Sequence, residues 1–316
     1  MSKVAESLAS RPKVTTVEQR YKKASRGFFA SSFARFFRHK LNVAALVVFT
    51  LVAIASYSAG WVSDTILKQK RDEIDFDLLA KGFQPPVPPG TLTHIMGTDE
   101  LGRDILARLL YGGQVSLTVG FLTALIAVSI GTTLGLLAGY FGGWVDDLVN
   151  LLVQTILNIP ALFLLIMLSL YFRPDIISLS LTIGLLSWAG LTRQVRGAVL
   201  SLSTRDYISA ARVSGASNFR ILLVHMLPNV VSLMLVVAGF DVAGAILIES
   251  GLSYLGFGIA VPIPSWGSML ADSQSRFTNA PWMVYTPALA IFITVLCVFL
   301  IADGLRDAFD PRLKNR

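Results

Sequence analysis

Cysteine is nearly missing from this chain. Among 316 residues there is one, Cys297, and it lies in an apolar run. No disulfide can form within the chain, and no cysteine-based metal site can be built. Histidine is almost as scarce: His39, His94 and His225 are far apart, and none pairs with another at metal-ligand spacing. Charged residues make up only 15%. No Gly-Lys-Ser or Gly-Lys-Thr occurs, so the chain has no P-loop with which to bind ATP itself. A seryl hydrolase working inside a membrane needs a histidine facing its nucleophile there, and His225 falls at the edge of an apolar run instead. These absences leave no catalytic centre in view.

What remains is mostly apolar. Hydrophobic residues make up 53% of the chain and gather in several runs of about 20 residues, which is the membrane class. The net charge of +7 does not read as a nucleic-acid footprint, because the basic residues cluster on one side of the predicted membrane. Residues 1–40 hold ten Lys/Arg and two Glu and read as a cytoplasmic tail. Near its end Phe29, Phe33, Phe36 and Phe37 fall on one helical face, as in a helix lying in the headgroup layer.

Six spans are predicted, at 41–61, 115–140, 145–172, 176–191, 230–255 and 283–302. A loop at 62–114 joins the first two, and its Pro85, Pro86, Pro88 and Pro89 mark extended chain. Gly97 to Asp104, GTDELGRD, closes that loop. Thr98 or Asp99 is placed to cap a helix whose Leu101, Ile105 and Leu109 share a face. In the second span Gly131, Gly135 and Gly139 recur every four residues and make one face smooth enough for close helix contact. Pro160 should kink the third span. With both termini inside, the inner segments carry 19 Lys/Arg and the outer ones 8, in agreement with the positive-inside rule.

One stretch stands apart. Residues 205–229, RDYISAARVSGASNFRILLVHMLPN, are polar and basic between apolar neighbours. They pattern as two short helices. Tyr207, Ala210, Ala211 and Ser214 share a face of the first. Gly215 fits a left-handed cap. Ser217 or Asn218 caps the second helix, whose apolar stripe is Phe219, Leu222, Leu223 and Met226. Pro228 is expected to end it. Elsewhere, Asp241 and Glu249 sit in the fifth span, where a charge normally faces a cavity or a partner. Trp266 and Trp282 read as caps of a solute path or as interface anchors.

The spacing of Ala210-Ala211, Gly215 and Leu227-Pro228 resembles the EAA loop of ABC-importer permeases. Ser209 and His225 depart from the general pattern, and HMLPN at 225–229 resembles its peptide-permease version. The octad at 97–104, LSYLGFG at 252–258 with Glu249 beside it, PSWG at 264–267, APW at 280–282 and GLRDAFDPRL at 304–313 resemble the same dipeptide, oligopeptide and nickel branch. The likeness covers most of 95–313.

It implies an all-α transmembrane domain of the type I importer class in a bacterial inner membrane. That domain has six spans and both termini in the cytoplasm. Residues 1–40 are then a tail, 41–61 the first span, 62–114 an outer loop, 115–307 the core permease domain and 308–316 a second tail. Ala210, Ala211, Gly215, Leu227 and Pro228 are implied to form the loop that docks on an ATPase. The implied partners are a second homologous permease, two ATP-binding subunits that hold ATP and Mg, and a solute-binding protein outside. No cofactor is implied in this chain and no nucleic acid as partner. Glu249, Asp241 and Trp266 are candidates for the pathway or the subunit interface. Di- and oligopeptides are the implied solutes, and nickel, glutathione-like and sugar-derived solutes stay open. An ion-gradient-coupled carrier, which wants an internal repeat and acids near the midplane, is the reading from another class.

Overall fold

The computed structural model describes residues 30–82, 85–90, 94–172, 174–260 and 262–309. Among these the backbone is helical, with two isolated bridges, Ile74 to Arg103 and Thr98 to Asp104, and no ladder of strands. The principal helices are α1 (Lys40–Tyr57), α2 (Ile105–Phe141), α3 (Gly143–Asn158), α4 (Ala161–Tyr171), α5 (Ile176–Ser203), α6 (Asp206–Val213), α7 (Asn218–Tyr254), α8 (Trp266–Asp272) and α9 (Trp282–Phe309). Helices α1, α2, α5, α7 and α9 are each long and apolar enough to cross a membrane.

The third predicted span, 145–172, is not one kinked helix. It is the pair α3 and α4, bent by 83°. Ile159 and Pro160 both leave the helix for extended backbone. A proline pushes the residue before it out of the helical region and has no N–H of its own to donate, so two positions are lost rather than one bond.

Helix α2 also differs from expectation. The helix expected from the octad starts later than expected. Asp104, not Thr98 or Asp99, is the N-cap, accepting from the Ala107 amide at 2.7 Å, and the helix then runs unbroken for 37 residues. Asp99 accepts from the amides of Leu101 and Arg103 instead, a local bond that competes with helix. Buried His94 bridges Asp104 at 2.8 Å and Asp75 at 3.1 Å, which fixes the octad as a folded loop. Leu101, expected on the apolar face, is exposed. At 1.5 Å per residue α2 is about 55 Å long, well beyond the hydrocarbon layer.

The glycine seam does what its spacing suggests. A Cβ on Gly131 would lie 2.9 Å from the Trp188 carbonyl, one on Gly135 2.7 Å from Val195 Cβ, and one on Gly139 2.8 Å from Val199 Cβ. Helices α2 and α5 therefore touch backbone to side-chain base along three turns. Helix α7 lies in the middle of the bundle, packed on α2 and on α9. Gly239 of α7 meets Ala302, and Gly304 of α9 meets Asn42 of α1. The helical residues 30–38 fold back on the same end, where Phe36 is buried and the Phe33 ring stands edge-on to Phe309. That segment packs on protein as well as presenting Phe37 outward. Phe29 lies outside the described residues. The two ends of the bundle are named below by the short helices they carry, α6 and α8.

Candidate functional site

The α6 end carries the site. Helix α6 has eight residues, too few to hold together alone. Three devices fix it. The first is its C-terminus: Ala216 donates to the Ala211 carbonyl and Gly215 to the Arg212 carbonyl, both at 3.0 Å, with Gly215 at φ +80°. This is the paired Schellman arrangement, and glycine is the residue that adopts that φ without a Cβ penalty. The second is an anchor. Ile208 is 0% exposed and sits among Leu136 of α2, Val195 and Val199 of α5, and Ile221 and Met226 of α7. The third is Tyr140 at the end of α2. Its hydroxyl donates to Asn218 Oδ1 at 2.8 Å, and the Arg212 guanidinium lies over its ring, 5.2 Å from the centroid.

The predicted loop residues divide. Ala211 is half-buried against the core, whereas Ala210 is exposed beside Tyr207 and Ser214. Ser217, not Asn218, is the cap before α7, accepting from the Arg220 amide. The expected stripe is only half right. Leu222 and Met226 are buried, with Ile221 and Val230, but Phe219 is 71% exposed and Leu223 is exposed. The cause is winding: Ile221–Met226 forms a π turn, so the α-helical spacing of three and four no longer tracks one face. Pro228 does not end the helix. It stands inside α7, in the first turn of the α segment that follows the π turn. Leu227 and Pro228 are half-buried, and Leu227 packs on the same cluster as Ile208. The outer surface of the knuckle is left to Tyr207, Val213 at 90% exposure, and Phe219.

Ile208 and Tyr140 escaped the sequence reading. Ile208 left a signal, being the only large aliphatic in the first turns of α6. Tyr140 left none, since it is 78 positions from Asn218.

The three candidates in and near the fifth span turn inward. Glu249 is 0% exposed and accepts from Ser253 Oγ at 2.7 Å, Ser116 Oγ at 2.8 Å and, more weakly, Ser250 Oγ at 3.4 Å. Its carboxylate closes on its own chain and ties α7 to α2. Trp266 is 1% exposed, with Nε1 donating to the Leu109 carbonyl at 3.0 Å, and it seats α8 on α2 rather than anchoring in an interface. Trp282 likewise turns Nε1 to the Thr98 carbonyl. Asp241 is different: its Oδ2 is buried with no hydrogen-bond partner among the described residues.

Replacing Glu249 with Leu strands the Ser116 and Ser253 hydroxyls. The expected loss is about 1–3 kcal/mol of stability, because a buried polar group left without its partner costs that much. Thermal unfolding of the detergent-solubilised protein reads it. Glu249→Gln, which keeps an acceptor oxygen, should lose less, and equal losses in the two variants would place the effect in packing instead.

At the α8 end, Arg108 is nearly buried and reaches Asp72 and Asp99 at 3.5 Å and Asp272 at 3.8 Å. Arg276 pairs with Glu100 at 2.6 Å. The octad is thus the joint that links the loop after α1 to the segment around α8. Burial pushes the Asp272 carboxyl above its ordinary value, while Arg108 pulls it back.

Membrane-length helices with a short helical knuckle packed on one end define a multi-span membrane protein. The chain belongs to the family of binding-protein-dependent transport system inner membrane components, which matches residues 131–315. It is 38% identical over 278 residues to the oligopeptide transport system permease protein OppC of Haemophilus influenzae, covering 88% of this chain and 86% of that one. It is 37% identical over 282 residues to the glutathione transport system permease protein GsiD of Pectobacterium atrosepticum, covering 89% and 90%. It is 40% identical over 222 residues to the dipeptide transport system permease protein DppC of Alkalihalophilus pseudofirmus, covering 70% and 73%. The likeness that the motifs carried is therefore spread over most of the chain, which is a multi-pass inner-membrane permease.

Proposed function

We propose that this chain is one of two permease subunits in an ATP-driven importer of di- and oligopeptides. Two ATPase subunits bind ATP and Mg on the cytoplasmic side, and a solute-binding protein delivers cargo outside. The α6 end faces the cytoplasm, in keeping with the 19-to-8 bias of Lys/Arg. The chain holds no cofactor of its own, and hydrolysis belongs to the ATPase subunits.

The observation that supports this reading most is the knuckle. Its inner side is locked to α2, α5 and α7 through Ile208, Ala211 and Tyr140, and its outer side offers Tyr207, Ala210, Val213 and Phe219. An ATPase that moves this surface moves the ends of three spans at once. The spans as a body are then the two-state element, open inward or outward.

Gly215 tests it. A Cβ at Gly215 meets nothing within 4 Å, so the cost of a side chain there is left-handed backbone strain of about 1–2 kcal/mol plus whatever it does to docking. Gly215→Asp is expected to leave the protein in the membrane and to abolish ATP-stimulated uptake. Normal uptake by that variant would count against α6 as the transmitter. Uptake that survives ATP depletion and collapses with the proton gradient would overturn the ATP-driven reading itself.

A further inference from the structure

Helix α7 packs most heavily on α2 and α9 and more lightly on α8 and α5, and one further side of it stays partly open to cavities. Ser232, Val236, Phe240, Leu247, Gly251 and Tyr254 lie along it at steps that keep to one side of a helix. Two cavities open onto this stripe. One, of about 540 Å³, lies toward the α6 end, walled by Gln194 of α5 and by Arg306 and Phe309 of α9. The other, of about 620 Å³, lies toward the α8 end and includes Ser273 and Gln274. Phe240 bounds the first and Leu247 the second. Seven residues of helix, about 10 Å, separate them. Gly244 stands midway, and a Cβ there would meet nothing within 4 Å.

The lining is not that of a lipid face. Leu51, Leu125 and Phe163 mark the outward surfaces of α1, α2 and α4 with large apolar groups. The inner chamber instead gathers Gln194, Ser232 and Arg306. No hydrogen bond, ion pair or ring contact ties Arg306 to another described residue, and its helix neighbours Asp303 and Asp307 do not pair with it. A guanidinium is a fork of donors with no acceptor, matched to a carboxylate. Gln194 and Ser232 add neutral groups suited to amides. The volume falls in the range that small-molecule sites occupy.

We propose that this chamber is a solute station on a track along α7, in which Arg306 binds the terminal carboxylate of a peptide, and that the neck at Gly244 separates it from the outer chamber. The proposal rests on the permease reading above and adds a residue that selects among its solutes. Arg306 is a binding residue for cargo, not a part of the α6 knuckle.

The experiment uses the assembled transporter and two readouts. For the first, Ser232→Cys is placed in a Cys297→Ser background and treated with anionic and cationic methanethiosulfonates of similar size. The anionic reagent should react faster, and Arg306→Gln should cut that preference severalfold. Leu51→Cys on α1 should react with neither. A ratio that ignores Arg306 overturns its place in the chamber. The second readout is uptake of trialanine and of trialanine amide. Arg306→Gln should raise KM for trialanine at least about tenfold, the worth of a hydrogen bond to a charged group, and should leave the amide within about twofold. Arg306→Lys should recover part of the loss. Equal effects on both probes, or on neither, sink the carboxylate assignment. Failure of the unaltered transporter to take up either probe overturns the peptide reading instead, while the thiol ratio still decides whether Arg306 faces the chamber.

Discussion

Gly135→Leu should cost about 3 kcal/mol, the upper end of what overpacking a tight interface costs, and should sharply lower the amount of folded protein in the membrane. A Cβ at this position already stands 2.7 Å from Val195 Cβ and 2.8 Å from the Thr192 carbonyl. Neither obstacle is the far end of a flexible side chain. The first is fixed to the α5 backbone and the second is part of it, so relief requires the two helices to separate. Separation at one glycine also opens the seam at Gly131 and Gly139, which share the same contact. No hydrophobic gain offsets this inside a membrane, where lipid competes equally for apolar surface and close contact itself is the main attraction. Gly135→Ala should cost less than Leu but still measurably, since the Cβ alone makes the clash. Gly197→Ala, on α5 with nothing within 4 Å of its added Cβ, is the neutral comparison. Denaturation of the purified protein in mixed detergents reads all three, and a Gly135→Leu protein as stable as Gly197→Ala would overturn the account of this seam.

Ile208→Asp should disconnect the knuckle while leaving the spans in place. The side chain is completely covered by aliphatic neighbours drawn from α2, α5 and α7. A carboxylate put there has no donor to meet it, and burying an unpaired charge costs several kcal/mol. Helix α6 cannot absorb that cost, because eight residues have almost no helical stability of their own. It should therefore swing away from the bundle, keeping only the Tyr140 contacts of its C-terminal side. Uptake should fall by more than tenfold, since 1.4 kcal/mol of lost docking already accounts for that factor. Hydrogen exchange should speed up across Asp206–Val213 and not in α2 or α5. Ile208→Val, worth about 0.5–1.5 kcal/mol, should keep most of the uptake. Full uptake by Ile208→Asp would mean that the anchor has no part in transmission.

Burial and exposure explain why the loop residues named from sequence fared unevenly. Gly215 was legible because a left-handed φ leaves a mark in residue type. Ala211 and Ala210 look alike in sequence, and only the position of α5 decides that one turns in and the other out. The apolar stripe at Phe219 and Leu223 was misread because the rule for α-helical spacing was applied across a π turn. Nothing in the residue types of Ile221–Met226 announces that winding. It arises where a helix anchored at Pro228 must also present Ile221 and Met226 to Ile208.

Local physics is what the sequence by itself determined: membrane-length apolar runs, glycines spaced by four along one seam, a bend at Pro160, and a polar knuckle turned at Gly215. Each depends on the conformational preference of a residue or on its chain neighbours, so each is written within one stretch of about 20 positions. Tertiary structure alone decided the rest. It turned Glu249 inward to Ser116, 133 positions away, set Trp266 under α8 by way of the Leu109 carbonyl, 157 positions away, and left one face of α7 open onto two chambers. The reason is that an ionisable or aromatic side chain in an apolar helix must find partners somewhere, and which helix supplies them depends on how the whole bundle closes.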